Sequence, residues 1–531
     1  MSVIVPRRQF LFMSAALIGP ALTGMRQRDD VFDVIIVGAG SAGCVLANRL
    51  SADPQNRVLL VEAGGPETNP AIHIPGKWTS LIGTALDWNY ATEPEPGLNG
   101  RSIKWPRGRS YGGSSTINAM AYTRGHQLCY DAWAREAGPA WSYRELLPLF
   151  RRVEHNSRGA SDVHGGNGPL AVSDTKDPHA GHLAFLDAAR ERGFTARADY
   201  DFDGPRQEGG AGFYQKNIKD GRRHSAAAAF LVPALGRPNL VVWSNSRVLK
   251  LTFEGARATG VEVVRSGTTA PTRVRARREV ILSAGAIESP KLLMLSGVGP
   301  ADDLRRFRIP VVLNLPGVGG NLQDHLRVPV RWTARQPLAP STVSAGLFTY
   351  STAAAARRPH AAPDIQFYVG RGLDTPDPFI TLTIAMSQPA SRGRISLRSA
   401  DPVAPPIIKA NYLSEAGDLD AMVEGVRLAQ SLAAANAYAS LRGDPVDPGP
   451  SLKTDAALRS YIRGSADTIF HPAGTCRMGR GADAVVDGQL RVHGLDGLRI
   501  ADASIIPTNL NSQIHAACVV IGEKAAEVSL L

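Results

Sequence analysis

The chain has 531 residues, 44% hydrophobic and 20% charged, proportions that exclude a mostly disordered, collagenous or coiled-coil protein and predict two or more lobes or one large α/β domain with insertions. Lys and Arg outnumber Asp and Glu by 59 to 48, a formal charge of +11, yet no run of five basic residues and no aromatic-interleaved basic stripe occurs, which argues against nucleic acid and leaves an acidic redox partner or a peripheral membrane contact as what the charge could serve. The four cysteines (Cys44, Cys129, Cys476, Cys518) are too few and too scattered for a disulfide framework, and without C-x-x-C or H-E-x-x-H no metal site is expected.

At the amino terminus, Arg7 and Arg8 precede an apolar stretch at 12–22 that is short for a membrane span. This predicts a twin-arginine-type signal peptide over 1–25 and a periplasmic or otherwise exported protein. The alternative is an N-terminal anchor or extension on a cytoplasmic protein. No other stretch approaches eighteen consecutive apolar residues, so the mature chain is expected to be soluble or peripheral.

Val31–Val37 is a β-branched apolar run, the pattern of a strand buried on both faces. Gly38-Ala-Gly40-Ser41-Ala-Gly43 follows, then a helical stretch, Cys44–Leu50, and a second strand, Arg57–Val61, ending in Glu62. The glycines serve a tight turn, close approach to a pyrophosphate and close helix packing, and an acid roughly 20 residues on suits ribose hydroxyls. This order predicts a dinucleotide cradle without deciding between nicotinamide and flavin.

Further on, Arg107-Gly-Arg109-Ser-Tyr-Gly-Gly113-Ser114-Ser-Thr-Ile117-Asn118 offers backbone N–H groups and hydroxyls able to hold phosphate or the polar edge of a flavin. This segment resembles the first signature of the glucose-methanol-choline (GMC) oxidoreductase family, and Gly285 to Pro300 its second. Gly317 to His325, His471 to Gly479 and Leu498 to Pro507 resemble further landmarks. Together they cover nearly all of residues 31–531. The stretch from Asp203 to Asn239 is more similar to bacterial sugar, polyol and choline dehydrogenases than to fungal oxidases.

The resemblance implies an α/β protein with a Rossmann-like FAD-binding domain made of 31–165, 225–324 and 466–531. A sheet-based substrate domain of 166–224 and 325–465 would complete it. It implies that Gly38, Gly40, Ser41 and Gly43 contact the pyrophosphate and Glu62 the ribose. Arg109, Gly113, Ser114 and Asn118 would face the flavin, Val248 the adenine, and Asp502 the cofactor near the ring. Some members tether FAD through a histidine where this chain has Ile117, so FAD is expected to be non-covalent.

Hydride loss from an alcohol requires the hydroxyl proton to leave as well, and imidazole suits that transfer. His471 matches the family's active-site histidine. The second family position, His or Asn, falls on Gln513 by a gap-free count, and glutamine can donate a hydrogen bond but cannot titrate. His515 lies two residues on, on the same face if the backbone is extended. Either Gln513 takes the asparagine-like role and His515 lines the pocket, or a shifted loop puts His515 there instead.

The expected reaction is oxidation of a primary or secondary alcohol, with sugars, polyols and choline-like alcohols as candidates. Electrons would pass to a quinone or cytochrome, with oxygen the alternative acceptor. A GMC-fold lyase or decarboxylase retaining FAD is a further alternative. The match of Gly108-Arg-Ser110-Tyr-Gly112 to a hydrolase nucleophile elbow fails on context, because Lys104–Arg107 is a poor central strand and Gly112-Gly113 a poor helix start. Strand patterns at 378–385 and 393–398 and short Ala-rich segments at 351–358 and 433–440 complete the reading.

Overall fold

A computed structural model describes residues 31–204, 207–370, 373 and 375–530. The expected signal at 1–25 lies outside them.

Strand β1 (Val31–Val37) forms where the apolar run predicts it, with its last four residues buried. Helix α1 starts at Ser41, earlier than Cys44, directly after the glycine turn, and runs to Leu50; β2 follows at Val58–Val61. These strands are parallel, and β1 also pairs in parallel with the end of the long strand Thr272–Leu282. The seven-stranded sheet runs 240–243, β2, β1, 272–282, 257–264, 247–254, with 498–500 added beside 272–282. Three distant stretches of chain therefore build one sheet, and its buried strands leave their loops free at the carboxyl ends, where doubly wound sheets bind ligands.

A second sheet of eight strands is mostly antiparallel: 442–447, 326–338, 377–386, 365–369, 345–349, 210–213, 195–196, with 467–468 paired to 326–338. The strand Leu326–Leu338 alternates in burial over its first half, with one face toward the cavity and the other toward solvent, whereas Gly210–Phe213, Ala345–Thr349 and Ile365–Val369 are buried almost throughout. The 467–468 pair joins this sheet although it falls beyond residue 466, where the return to the first unit is expected. Helix Ala416–Ala433 packs on this sheet. The Ala-rich signal at 433–440 is only a 3₁₀ turn, Asn436–Tyr438, just past that helix.

The hydrolase elbow is absent. Lys104–Trp105 makes only a two-residue pairing with Tyr90–Ala91, Gly113–Thr116 is a 3₁₀ turn, and Ser110 is buried and bonded to Thr116 at 2.8 Å. All four cysteines are free. Among the described residues no helix is long and apolar enough to cross a membrane, and no cluster of potential metal ligands gathers.

Candidate active site

The carboxyl end of the first sheet and the covered face of the second enclose one cavity of about 350 Å³. Gly38, Gly40, Ser41, Glu62, Gly113, Ser114, Asn118, Val248, Asp502, His471, Gln513 and His515 all line it. Gly43 and Arg109 do not. Gly43 is a packing glycine: a Cβ there would sit 1.9 Å from the Gly38 carbonyl oxygen. Arg109 is turned aside because its guanidinium stacks over the Trp88 ring, 5.2 Å from its centre, and it is Trp88 that faces the cavity.

At the cradle end, Glu62 is held by the Ala39 and Gly64 N–H groups at 2.8 and 2.7 Å. Burial raises its pKa, opposed by those bonds and by Arg109. Asp502 accepts from Gly285 N–H (2.8 Å), Ser289 Oγ (2.6 Å) and Ser504 N–H (2.8 Å). Arg223, buried, donates to the Asn118 carbonyl and side chain, both at 2.7 Å, and so fixes the turn after Gly113–Thr116.

At the opposite end, His471 sits on a short irregular run clamped from three sides. Its N–H donates to Asp324 Oδ1 (2.8 Å), its carbonyl accepts from Asn509 Nδ2 (3.0 Å), and Arg107 donates to the Phe470 carbonyl (2.8 Å). Phe470 takes φ +72°, a strained conformation held by these contacts. Asp324 also accepts from Thr468 Oγ1 (2.6 Å) and Tyr412 OH. The His471 imidazole meets His325 with 2.9 Å between their Nδ1 atoms, leaving His471 Nε2 without a hydrogen bond to any described residue. Burial pushes His471 well below the ordinary imidazole range, aided by the charge of Arg107 and by His325; burial likewise brings His325 to about 4. Both imidazoles are neutral at pH 7.

Gln513 is oriented by a directional chain of hydrogen bonds. Tyr214 OH donates to the Phe367 carbonyl (3.0 Å) and accepts from Gln366 Nε2 (2.9 Å). Gln366 Oε1 accepts from Tyr368 OH (3.0 Å), whose oxygen must then accept from Gln513 Nε2 (2.9 Å). Gln513 Oε1 accepts from Thr123. With the amide turned this way, one N–H of Nε2 remains for the cavity. His515 goes elsewhere, because it is the first residue of the final helix, His515–Leu530, so the extended backbone that would align it with Gln513 is absent. Its Nδ1 lies 3.0 Å from Ser41 Oγ, at the start of α1, and its Nε2 is buried without a partner among the described residues. Burial, then Arg223, lowers it to about 4.

Several of these groups were not expected from sequence. His325 stands in the Gly317–His325 landmark, and the Asp-His pair closing it was the available signal. Thr123 and Tyr368 had none, since strand patterns do not say which residues face a cavity.

GMC oxidoreductase family models match residues 32–327 and 389–522. The chain belongs to the GMC oxidoreductase family. Its relatives include a mitochondrial choline dehydrogenase of Mus musculus, 42% identical over 94% of this chain and 89% of that protein. An alcohol dehydrogenase [acceptor] of Pseudomonas putida is 41% identical over 94% of this chain and 95% of its own. Pyridoxine 4-oxidase from "Mesorbium loti" superposes with a TM-score of 0.87 at 36% identity, covering 93% of this chain and 98% of that one. FAD is the cofactor of this GMC protein. The residues present fit it: a Cβ on Gly40 would meet only the Ser283 oxygen, at 3.8 Å, so the backbone there is bare toward the cavity. The orphaned His515 Nε2 supplies a buried polar atom awaiting a partner.

Proposed function

We propose that the protein oxidises a primary or secondary alcohol to an aldehyde or ketone. Gly38, Gly40, Ser41 and Glu62 would hold the pyrophosphate and ribose of FAD, Val248 the adenine, and Gly113, Ser114, Asn118 and Asp502 the flavin side; with Ile117 at the possible tether position, no covalent link forms there. When bound, FAD supplies the oxidant, accepting the hydride lost from the carbinol carbon. His471 accepts the hydroxyl proton at Nε2. For that lone pair to be available, its Nδ1–H must donate to His325 Nδ1, with the His325 proton on Nε2; the 2.9 Å contact allows either direction, and the base role requires this one. Gln513 holds the alcohol oxygen with its remaining N–H, and the second sheet keeps bulk water from the reacting carbon. The observation that carries this reading is the convergence of a neutral imidazole and an oriented amide N–H on the cavity that ends in the glycine cradle.

In anaerobic stopped flow, His471→Ala should slow alcohol-driven bleaching of the flavin by on the order of 10² to 10⁴; a fall under about tenfold rejects the base assignment. The reduced flavin would pass electrons to a quinone or cytochrome, and parallel dye-linked and oxygen-consumption assays separate that from an oxidase. We further propose export through residues 1–25, tested by cell fractionation of the Arg7→Lys/Arg8→Lys double variant.

A further inference from the structure

Three carboxylates line the cavity, and each is already engaged near the first sheet. Glu62 and Asp502 are bonded as described, and Glu288 accepts from Tyr90 OH (2.5 Å) and Lys291 (3.3 Å). Around His471 and Gln513, no described lining residue is acidic. A cation, Arg327, stands there instead. It opens the strand Leu326–Leu338, and its guanidinium donates to the Thr468 carbonyl (2.9 Å) and to Asp467 Oδ2 (3.0 Å), the same run of chain that carries His471. Its Nη1 makes no hydrogen bond to any described residue. The guanidinium carbon lies 5.7 Å from the centre of the Phe470 ring, so the face of that ring is already occupied by a cation of the protein's own. Asp467, the acid paired with it among the described residues, is 40% exposed and Arg327 itself 33%, so water screens both members of the pair.

Behind the wall at Gly370 no described carboxylate compensates either. A Cβ on Gly370 would lie 2.1 Å from His182 Nε2, an imidazole that burial holds neutral, and Lys216, buried on the strand beside the cavity residue Ala121, has no carboxylate partner among the described residues. Burial lowers Lys216 to about 7, so it is protonated for part of the time at neutral pH.

We propose that Arg327 is a specificity-determining residue that excludes quaternary-ammonium alcohols and selects alcohols whose distal end is neutral or anionic. The inference rests on the alcohol-oxidising reading above. It separates this chain from the choline specificity in the names of some of its relatives, because a trimethylammonium group would enter a pocket with a fixed guanidinium and no free carboxylate to neutralise it.

The test compares three alcohols of similar size at constant ionic strength: choline, its neutral isostere 3,3-dimethyl-1-butanol, and the anionic 4-hydroxybutyrate. The wild type should use the isostere with a kcat/KM at least 100-fold above that of choline. Arg327→Glu should narrow or reverse that ratio by 100-fold or more, and Arg327→Gln should lower the preference for 4-hydroxybutyrate over choline about tenfold. Flavin content and Tm show whether each variant is folded; if Arg327→Glu fails, the Arg327→Gln ratios decide. Choline within threefold of the isostere in the wild type, or ratios unchanged in a folded variant, overturn the proposal. Should none of the three bleach the flavin, ligand titrations following the flavin absorbance replace turnover, and an equal response to all three, including none, also overturns it. Failure of the alcohol reading shows separately, as a flavin left oxidised by a broad panel of primary and secondary alcohols.

Discussion

Burial sets the protonation of the imidazoles around the cavity before any substrate arrives. A lowered pKa means that the proton-accepting form persists as pH falls. The rate of flavin reduction should therefore be flat through neutrality and decline only well below 6.5, the ordinary value for histidine; an acidic limb above pH 7 in anaerobic stopped flow would contradict a neutral His471. In the proposed reaction His325 is a positioning residue that would fix which nitrogen of His471 carries the proton. His325→Leu should slow reduction roughly 10- to 100-fold with FAD content unchanged, as expected when a general base loses its orientation. His325→Asn, which keeps a polar partner at that position, should recover part of the loss and restore the pH profile. The Gln513 and His515 geometries predict a split: Gln513→Ala should raise KM and slow reduction, whereas His515→Ala, beside Ser41, should chiefly loosen FAD. Abolished turnover in a FAD-replete His515→Ala variant would reverse the two roles.

At the scale of elements, the β1, α1, β2 unit was legible because each of its parts has a local cause: β-branched residues for a doubly buried strand, glycines for the turn, an acid at the end of the next strand. The last two of its three glycines now part company. Gly40→Ala adds a methyl facing only the cavity, so the apo fold should survive while FAD affinity falls at least tenfold, read by flavin retention on dilution. Gly43→Ala drives a methyl against the Gly38 carbonyl at 1.9 Å, and overpacking of this kind costs about 1–3 kcal/mol; thermal unfolding of the apo protein should show it as a lower Tm. The start of α1 was placed three residues late, because its first turn is Ser-Ala-Gly and carries no helical periodicity. The helix Ala416–Ala433 was not expected, although Leu419, Met422, Val423 and Val426 recur at helical spacing; it packs on the strand Asp377–Met386 and on the helix Asp455–Ser465.

The whole molecule is tied together by buried charge as well as by apolar packing. Arg124 and Glu154, both fully buried, form an ion pair, and His164 donates to Glu154 at 3.0 Å and to Asp201 at 3.1 Å. Burial alone would lower the His164 pKa, but Asp201 and Glu154 overcome it and hold it at about 9. Removing one partner of a buried pair strands the other, so Glu154→Ala should destabilise by roughly 3–5 kcal/mol, seen as a Tm drop of several degrees; an unchanged Tm would mean that water reaches Arg124. The sequence alone determined the family and the cofactor, and it pointed to the histidine that opens the His-Pro-Ala-Gly-Thr run, because motifs are local and their chemistry is set by residue type and spacing. Only the tertiary structure decided that His325 backs His471, that Tyr368 and Thr123 turn the Gln513 amide, that His515 belongs to the cradle, and that Arg327 faces the cavity. Those relations join residues up to hundreds of positions apart through two sheets, and which face of a strand meets the cavity depends on register and packing that no local pattern records.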